Sequence, residues 1–190
     1  MQRISLLEIA HQRVSQILVA GHEVIDATLG NGYDTQRLAV AVGDGGRVYG
    51  FDIQQQAIEN TRNRLIEQGL QQRVELYHCS HDEMLLRLPQ RLQGRIQAIM
   101  FNLGYLPGGD KSLVTKSDST LTALTAALQM LAKTGVITVL VYPGHAGGEL
   151  EAQAVHDFCH AQQQMQSAKV EIIYSEHHTA KAPLLYVLSL

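Results

Sequence analysis

Asp26, Asp34 and Asp52 bracket the glycine turn in "DATLGNGYDT" and the strand-like "GRVYGFDI" that follows it. Gly30 and Gly32 let a backbone approach a ligand closely and take positive φ. Asn31, Asp34 and Thr35 add polar groups where a helix would begin. A diphosphate gains little from two carboxylates, Asp26 and Asp34, beside its binding turn, whereas a cation gains a good deal. Asp52 stands 20 residues after Gly32, a spacing at which an acid takes both hydroxyls of an adenosine ribose. That spacing alone fits a nicotinamide dinucleotide as well as the sulfonium and ammonium of S-adenosylmethionine. A dinucleotide fingerprint, however, has a third glycine where Thr35 sits and no acid at Asp26.

A second constellation lies in "FNLGYLPGGD". Turn chemistry accounts for Gly104, Pro107, Gly108 and Gly109, but not for an amide and a phenol framing the turn. The Asn102 side-chain oxygen and the Leu103 carbonyl can accept hydrogen bonds from an amine and fix the direction of its lone pair. The Tyr105 ring beside them can stack on a base or attract a developing ammonium. Methyl transfer to nitrogen needs little more than such positioning and desolvation. The set resembles the Asn-Pro-Pro-Tyr loop of amino-methyltransferases, with Leu103 and Gly104 in place of the prolines. His145, in "VYPGHAGGELE", has the chemistry to relieve an ammonium of its proton, and equally to cap the next helix. Ser80 and His81 stand either where an adenine would be held or as a cap before Asp82. Lys111, Lys116, Lys133, Arg87, Arg91 and Arg95 are candidate phosphate contacts.

These residues need a scaffold that gathers strand ends. "EVIDAT", "GRVYGFDI", "RVELYHC", "IQAIMF" and "VITVLVY" read as strands, separated by segments of helical spacing. One helix is expected over "STLTALTAALQMLAKTG", with Asp118 or Ser119 as N-cap and Gly135 past its end. "KVEIIYS" and "PLLYVLSL" close the chain with no helix between them, so they pair antiparallel. The expectation is a doubly wound, Rossmann-like α/β fold of the class I methyltransferase type. Its seven-stranded sheet is mostly parallel with an antiparallel C-terminal strand.

With 190 residues, no repeat and no linker-like tract, a single domain over 1–190 is expected, with an N-terminal helix over 1–20 preceding its core. That helix carries Glu8, His11 and Arg13 in its apolar pattern, so it reads as neither signal peptide nor membrane span. Cys79 and Cys159 lack metal spacing, and the nine histidines are scattered. The expectation is therefore no metal, core thiols and a reducing, cytoplasmic setting. A net charge of −3 excludes a generally basic nucleic-acid binder but not a local basic face. A homodimer stays open.

"DATLGNGYDT", "FDIQQQAI", "FNLGYLPGGDK" and "VYPGHAGGELE" resemble, in order and spacing, a small bacterial family long labelled rRNA methylases. Its members are described as tRNA 5-aminomethyl-2-thiouridine methyltransferases. The resemblance implies methyl transfer from S-adenosylmethionine to the aminomethyl nitrogen of a modified wobble uridine in tRNA. It implies cofactor contacts at Asp26, Gly30, Asn31, Asp34, Thr35, Asp52, Gln54 and Asn102, and substrate-side roles for Tyr105, Asp110, Lys111 and His145. Thr28, Gly32, Ile53, Ser80 and His81 complete the candidate cofactor set, and Pro107 the substrate side. Asn102, Tyr105 and His145 are the candidate catalytic residues. An rRNA or a small molecule is the alternative acceptor. Near the end, Glu176, His177 and His178 stand where the family has an Asn-Gln pair.

Overall fold

A computed structural model describes residues 4–106, 108, 114–145, 147–175, 179 and 181–190. Pro107, Asp110, Lys111 and the Glu176–His178 segment therefore lie outside the described residues. Strands β1 (Glu23–Asp26), β2 (Arg47–Asp52), β3 (Val74–His78), β4 (Ile96–Asn102), β5 (Leu131–Val141), β6 (Lys169–Tyr174) and β7 (Leu184–Ser189) form one sheet. Its order is β3-β2-β1-β4-β5-β7-β6. The first five are parallel, and β7 alone runs antiparallel, between β5 and β6. Strand order reverses between β1 and β4, which places the ligand crevice outside their carboxyl ends.

Helices α1 (Leu6–Ser15), α2 (Tyr33–Val42) and α3 (Gln55–Glu67) cover one face; α4 (Met84–Arg87), α5 (Ser117–Met130) and α6 (Gly148–Gln164) cover the other. Central strands bury both faces, so side chains alternate between layers. Val24, Val48, Ala98 and Met100 pack with α1, α2 and α3. Ile25, Tyr49, Ile99 and Phe101 pack with α4, α5 and α6. Cys159 belongs to this second layer, where burial pushes its thiol up to about 12.

Two helices differ from their expected bounds. α1 is shorter than residues 1–20 and starts at a cap, the Ser5 hydroxyl accepting the Glu8 N–H at 3.1 Å. The helix expected through "LAKTG" stops at Met130, because Leu131 already pairs with Ile96 in β5. Gly135 is consequently a strand residue and not a helix terminus. A Cβ there would lie 2.9 Å from the carbonyls of Ile96 and Gln97, where β4 shifts register. The N-cap position is Lys116, not Asp118 or Ser119, and the Ser119 hydroxyl donates to the Lys116 carbonyl at 3.0 Å. No described helix is long and apolar enough to cross a membrane.

Candidate functional site

The carboxyl ends of the parallel strands open into a cavity of about 1020 Å³. Its lining includes Thr28, Gly30, Asn31, Asp34, Asp52, Ile53, Gln54, Ser80, His81, Asn102, Tyr105 and His145. Twelve of the expected residues thus converge on one space. Asp26, Gly32 and Thr35 do not reach its surface: all three are buried and form the layer beneath.

The acidic half is built around the glycine turn. Asp52 Oδ2 accepts the Gly30 N–H at 3.0 Å and Oδ1 accepts the Gln54 N–H at 2.9 Å, so backbone fixes the carboxylate at the exit of β2. Asp26 accepts the Thr28 N–H at 3.2 Å and the Thr35 hydroxyl at 2.5 Å. Burial first, and then the neighbouring Asp34 carboxylate, push the Asp26 carboxyl up to about 7.

α3 holds the turn from outside, through residues that sequence reasoning passed over. Asn60 donates to the Asn31 side-chain oxygen at 2.9 Å, Thr61 to the Gly30 carbonyl at 3.2 Å, and Arg64 to the Asn31 carbonyl at 2.8 Å. The Asn31 carboxamide oxygen is therefore committed to α3. Gly32 has φ +79°, and a Cβ there would lie 2.9 Å from the Thr61 Cα. The Arg64 guanidinium also lies 3.7 Å from the centre of the Tyr33 ring.

α1 supplies a further unforeseen partner. The His11 Nε2–H donates to Asp34 Oδ1 at 2.6 Å, because Nδ1 accepts from Arg37 at 2.5 Å. Both His11 and Asp34 are buried. The only sequence signal for this contact was a histidine on the inner face of an amphipathic helix.

Ser80 does not cap the short turn His81–Glu83 through its hydroxyl; its carbonyl accepts the Glu83 N–H at 3.1 Å. The buried His81 donates through Nδ1 to the Ala27 carbonyl at 3.2 Å, tying the exit of β3 to that of β1. Burial lowers its pKa.

Across the switch point, the Asn102 N–H donates to the Thr28 hydroxyl at 2.7 Å, which clips β4 to β1. Among the described residues none hydrogen-bonds the Asn102 carboxamide, and Asn102 lines the cavity. The Tyr105 ring is 42% exposed and stands edge-on to His145, with centroids 5.9 Å apart and planes at 89°. His145 is not the cap of α6, whose N-cap is Gly147 at φ +82°. The ring packs over Gly148 instead, where a Cβ would come within 2.9 Å of Nε2.

The proposed row of phosphate contacts divides. Lys116 and Lys181 line the cavity. Arg91 pairs with Glu23 at 2.9 Å, and Glu23 begins β1 at the opposite edge. Arg95 precedes β4 and Lys133 lies near the start of β5, on that same far edge. Chain proximity misplaced these three, since a strand carries the chain from one edge to the other. Arg87 is committed to Glu83 at 2.6 Å. Among the described residues no group of three or more His, Cys, Asp or Glu could hold a metal.

Residues 48–189 match the model of a family described as "Putative rRNA methylase". The chain belongs to this family. Its fold and its family make it a class I methyltransferase. It is 42% identical over 160 residues to a chloroplastic tRNA (mnm(5)s(2)U34)-methyltransferase of Arabidopsis thaliana, a match covering 80% of this chain. The same match covers 57% of the plant protein's length. A crystal structure described as a "putative rRNA-methylase" of Clostridium thermocellum superposes with TM-score 0.92 at 35% identity, covering 100% of this chain and 99% of that one. A crystal structure described as "a putative methyltransferase" of Streptococcus mutans in complex with SAH superposes with TM-score 0.83 at 31% identity, covering 99% and 98%.

Proposed function

We propose that this methyltransferase transfers a methyl group from S-adenosylmethionine to the aminomethyl nitrogen of 5-aminomethyl-2-thiouridine at the tRNA wobble position. The observation that carries the reading is Asn102, whose carboxamide has no hydrogen-bond partner among the described residues and which lines one cavity with Tyr105, Asp34 and Asp52. The acidic half fits the cofactor. Asp34 and Asp52 are carboxylates suited to an ammonium and to ribose hydroxyls, and Phe51, Ile53 and Leu103 supply apolar wall. When bound, the cofactor supplies an electrophilic methyl group on a sulfonium.

The chain's own task is then positional. Asn102 Oδ1 and the Leu103 carbonyl accept hydrogen bonds from a neutral amine, leaving its lone pair aimed at the methyl carbon. Tyr105 and His145 flank that position, and His145 is the group we assign to receive the proton the amine loses. The name of the plant relative supports the wobble-uridine acceptor. Lys116 and Lys181 at the cavity support a polyanionic substrate.

The test is incubation with labelled S-adenosylmethionine and tRNA bearing the aminomethyl group, followed by nucleoside mass spectrometry. Label in that nucleoside is expected. Label only in rRNA fragments, or only in free amines, would overturn the acceptor. Lys116→Ala and Lys181→Ala should each reduce the slope of log affinity against log salt by about 0.7 to 0.9. Asn102→Ala should lower turnover far more than SAH affinity, and equal losses in both would remove it from the acceptor side.

A further inference from the structure

Glu151 takes no part in the site described above, yet the first turn of α5 and the segment before it converge on it. It lies in the first turn of α6 and is 3% exposed. Its Oε2 accepts the Thr115 hydroxyl at 2.7 Å and its Oε1 accepts the Thr120 hydroxyl at 2.7 Å. Thr120 belongs to the first turn of α5. Thr115 in turn holds both backbone groups of Gly104. Its Oγ1 accepts the Gly104 N–H at 2.9 Å, and its own N–H donates to the Gly104 carbonyl at 2.9 Å. An antiparallel bridge between Tyr105 and Val114 continues that pairing.

A buried carboxylate is expensive unless hydrogen-bonded, so a neutral side chain would be the cheaper filler here. What a carboxylate adds is one-way chemistry, because it only accepts. Facing it, the Thr115 hydroxyl must donate to Glu151, which turns its lone pairs toward Gly104. Gly104 sits at φ +136° between Leu103 and Tyr105, a conformation that other residues rarely adopt. We propose that Glu151 is a positioning residue: through Thr115 it fixes Gly104, and thereby the Leu103 carbonyl and the Tyr105 ring on the acceptor side. This rests on the acceptor-side reading of Asn102 to Tyr105.

The experiment compares Glu151→Ala, Glu151→Gln, Thr115→Val and Thr120→Val, with Asn102→Ala alongside. Turnover with aminomethylated tRNA should fall on the order of tenfold or more in Glu151→Ala and Thr115→Val. SAH affinity should stay within about twofold, since the acidic half is untouched. Glu151→Gln should recover much of the rate. Its amide oxygen can face Thr115 while its NH₂ donates to Thr120 Oγ1, which is able to accept.

Thr120→Val is the discriminating variant. It loses a bond to the same carboxylate without releasing Gly104, so it should lower the melting temperature and spare turnover. Amide hydrogen exchange gives a readout that needs no substrate. The Gly104 N–H should lose protection in Thr115→Val and Glu151→Ala but not in Thr120→Val. Equal effects of the two threonine variants on rate and exchange would overturn the proposal, as would unchanged turnover in folded Glu151→Ala or Thr115→Val. If Glu151→Ala does not fold, Thr115→Val decides. Failure of the acceptor-side reading itself would show separately, as full turnover in Asn102→Ala.

Discussion

Asp26→Asn is expected to stabilise the free protein while weakening the site. Asp26 is 1% exposed, and burial with the adjacent Asp34 carboxylate raises its pKa from 3.8 to about 7. The folded state thus holds its proton more tightly than the unfolded chain does. Stability from this group is therefore fully present below about pH 4, declines as pH rises from about 4 to 7, and is lost above that. A difference of roughly a thousandfold in proton affinity amounts to on the order of 4 kcal/mol at pH 8. Asparagine keeps the volume and an oxygen for the Thr28 N–H, and it cannot ionise. Its NH₂ meets the Thr35 hydroxyl, which must redirect its own proton, a rearrangement that costs about 1 kcal/mol. The net gain is about 3 kcal/mol at pH 8 and close to zero at pH 5. For a chain of this length the gain corresponds to about 6–12 °C in melting temperature. Thermal unfolding at the two pH values measures it. Calorimetry with SAH should show weaker binding by the variant at pH 8. In wild type, run in two buffers of different ionisation enthalpy near pH 7, it should show proton release, since a bound ammonium favours the carboxylate. An Asp26→Asn protein equally destabilised at both pH values would refute the reasoning. It would mean that Asp26 is ionised and satisfied in the free protein.

Further perturbations probe the surrounding shell. Asp52→Ala should weaken SAH binding by about 1–3 kcal/mol, the cost of unpaired hydroxyls; an unchanged dissociation constant by calorimetry would remove Asp52 from the ribose role. Gly32→Ala must adopt the left-handed region against the Thr61 backbone. It should cost about 2–5 kcal/mol in denaturant unfolding, and a loss below about 1 kcal/mol would mean that the turn rearranges. His11→Ala leaves the buried Asp34 carboxylate without its partner on α1. Stability should fall by about 1.5–3 kcal/mol, and an unchanged melting temperature would show that the contact contributes nothing.

The sheet and the gathering of its strand ends were legible because β1, β2 and β4 are short apolar runs closed by a polar residue. Asp26, Asp52 and Asn102 are the last residues of β1, β2 and β4. Their convergence follows from parallel topology alone. What sequence could not give is which polar groups face inward and which support from behind. Asp26 and Thr35 fit the motif as well as Asp34 does, yet their bond to each other takes them out of the cavity wall. Nothing in residue type or spacing sets Asn60, Thr61 and Arg64 apart from the other polar residues of α3. Arg91, Arg95 and Lys133 failed for a geometric reason, as nearness along the chain changes edge every time a strand is crossed. The α5 boundary failed because "LAKTG" has adequate helix propensity, and pairing of Leu131 with Ile96 overrides it.

The direct passage of α5 into β5 has a consequence for how such a protein can diversify. Met130 ends the helix and Leu131 begins the strand, with no residue between them, and Gly135 lies against the β4 backbone just beyond. An insertion there would push either the helix out of its layer or the strand out of register, so chain length at that edge is frozen. At the other edge, the connections that follow Asn102 and Val141 leave the strand ends beside the open cavity, where added residues cost little. Relatives that act on a different substrate should therefore differ in length on the cavity side of the sheet, while the opposite side keeps the same residue count.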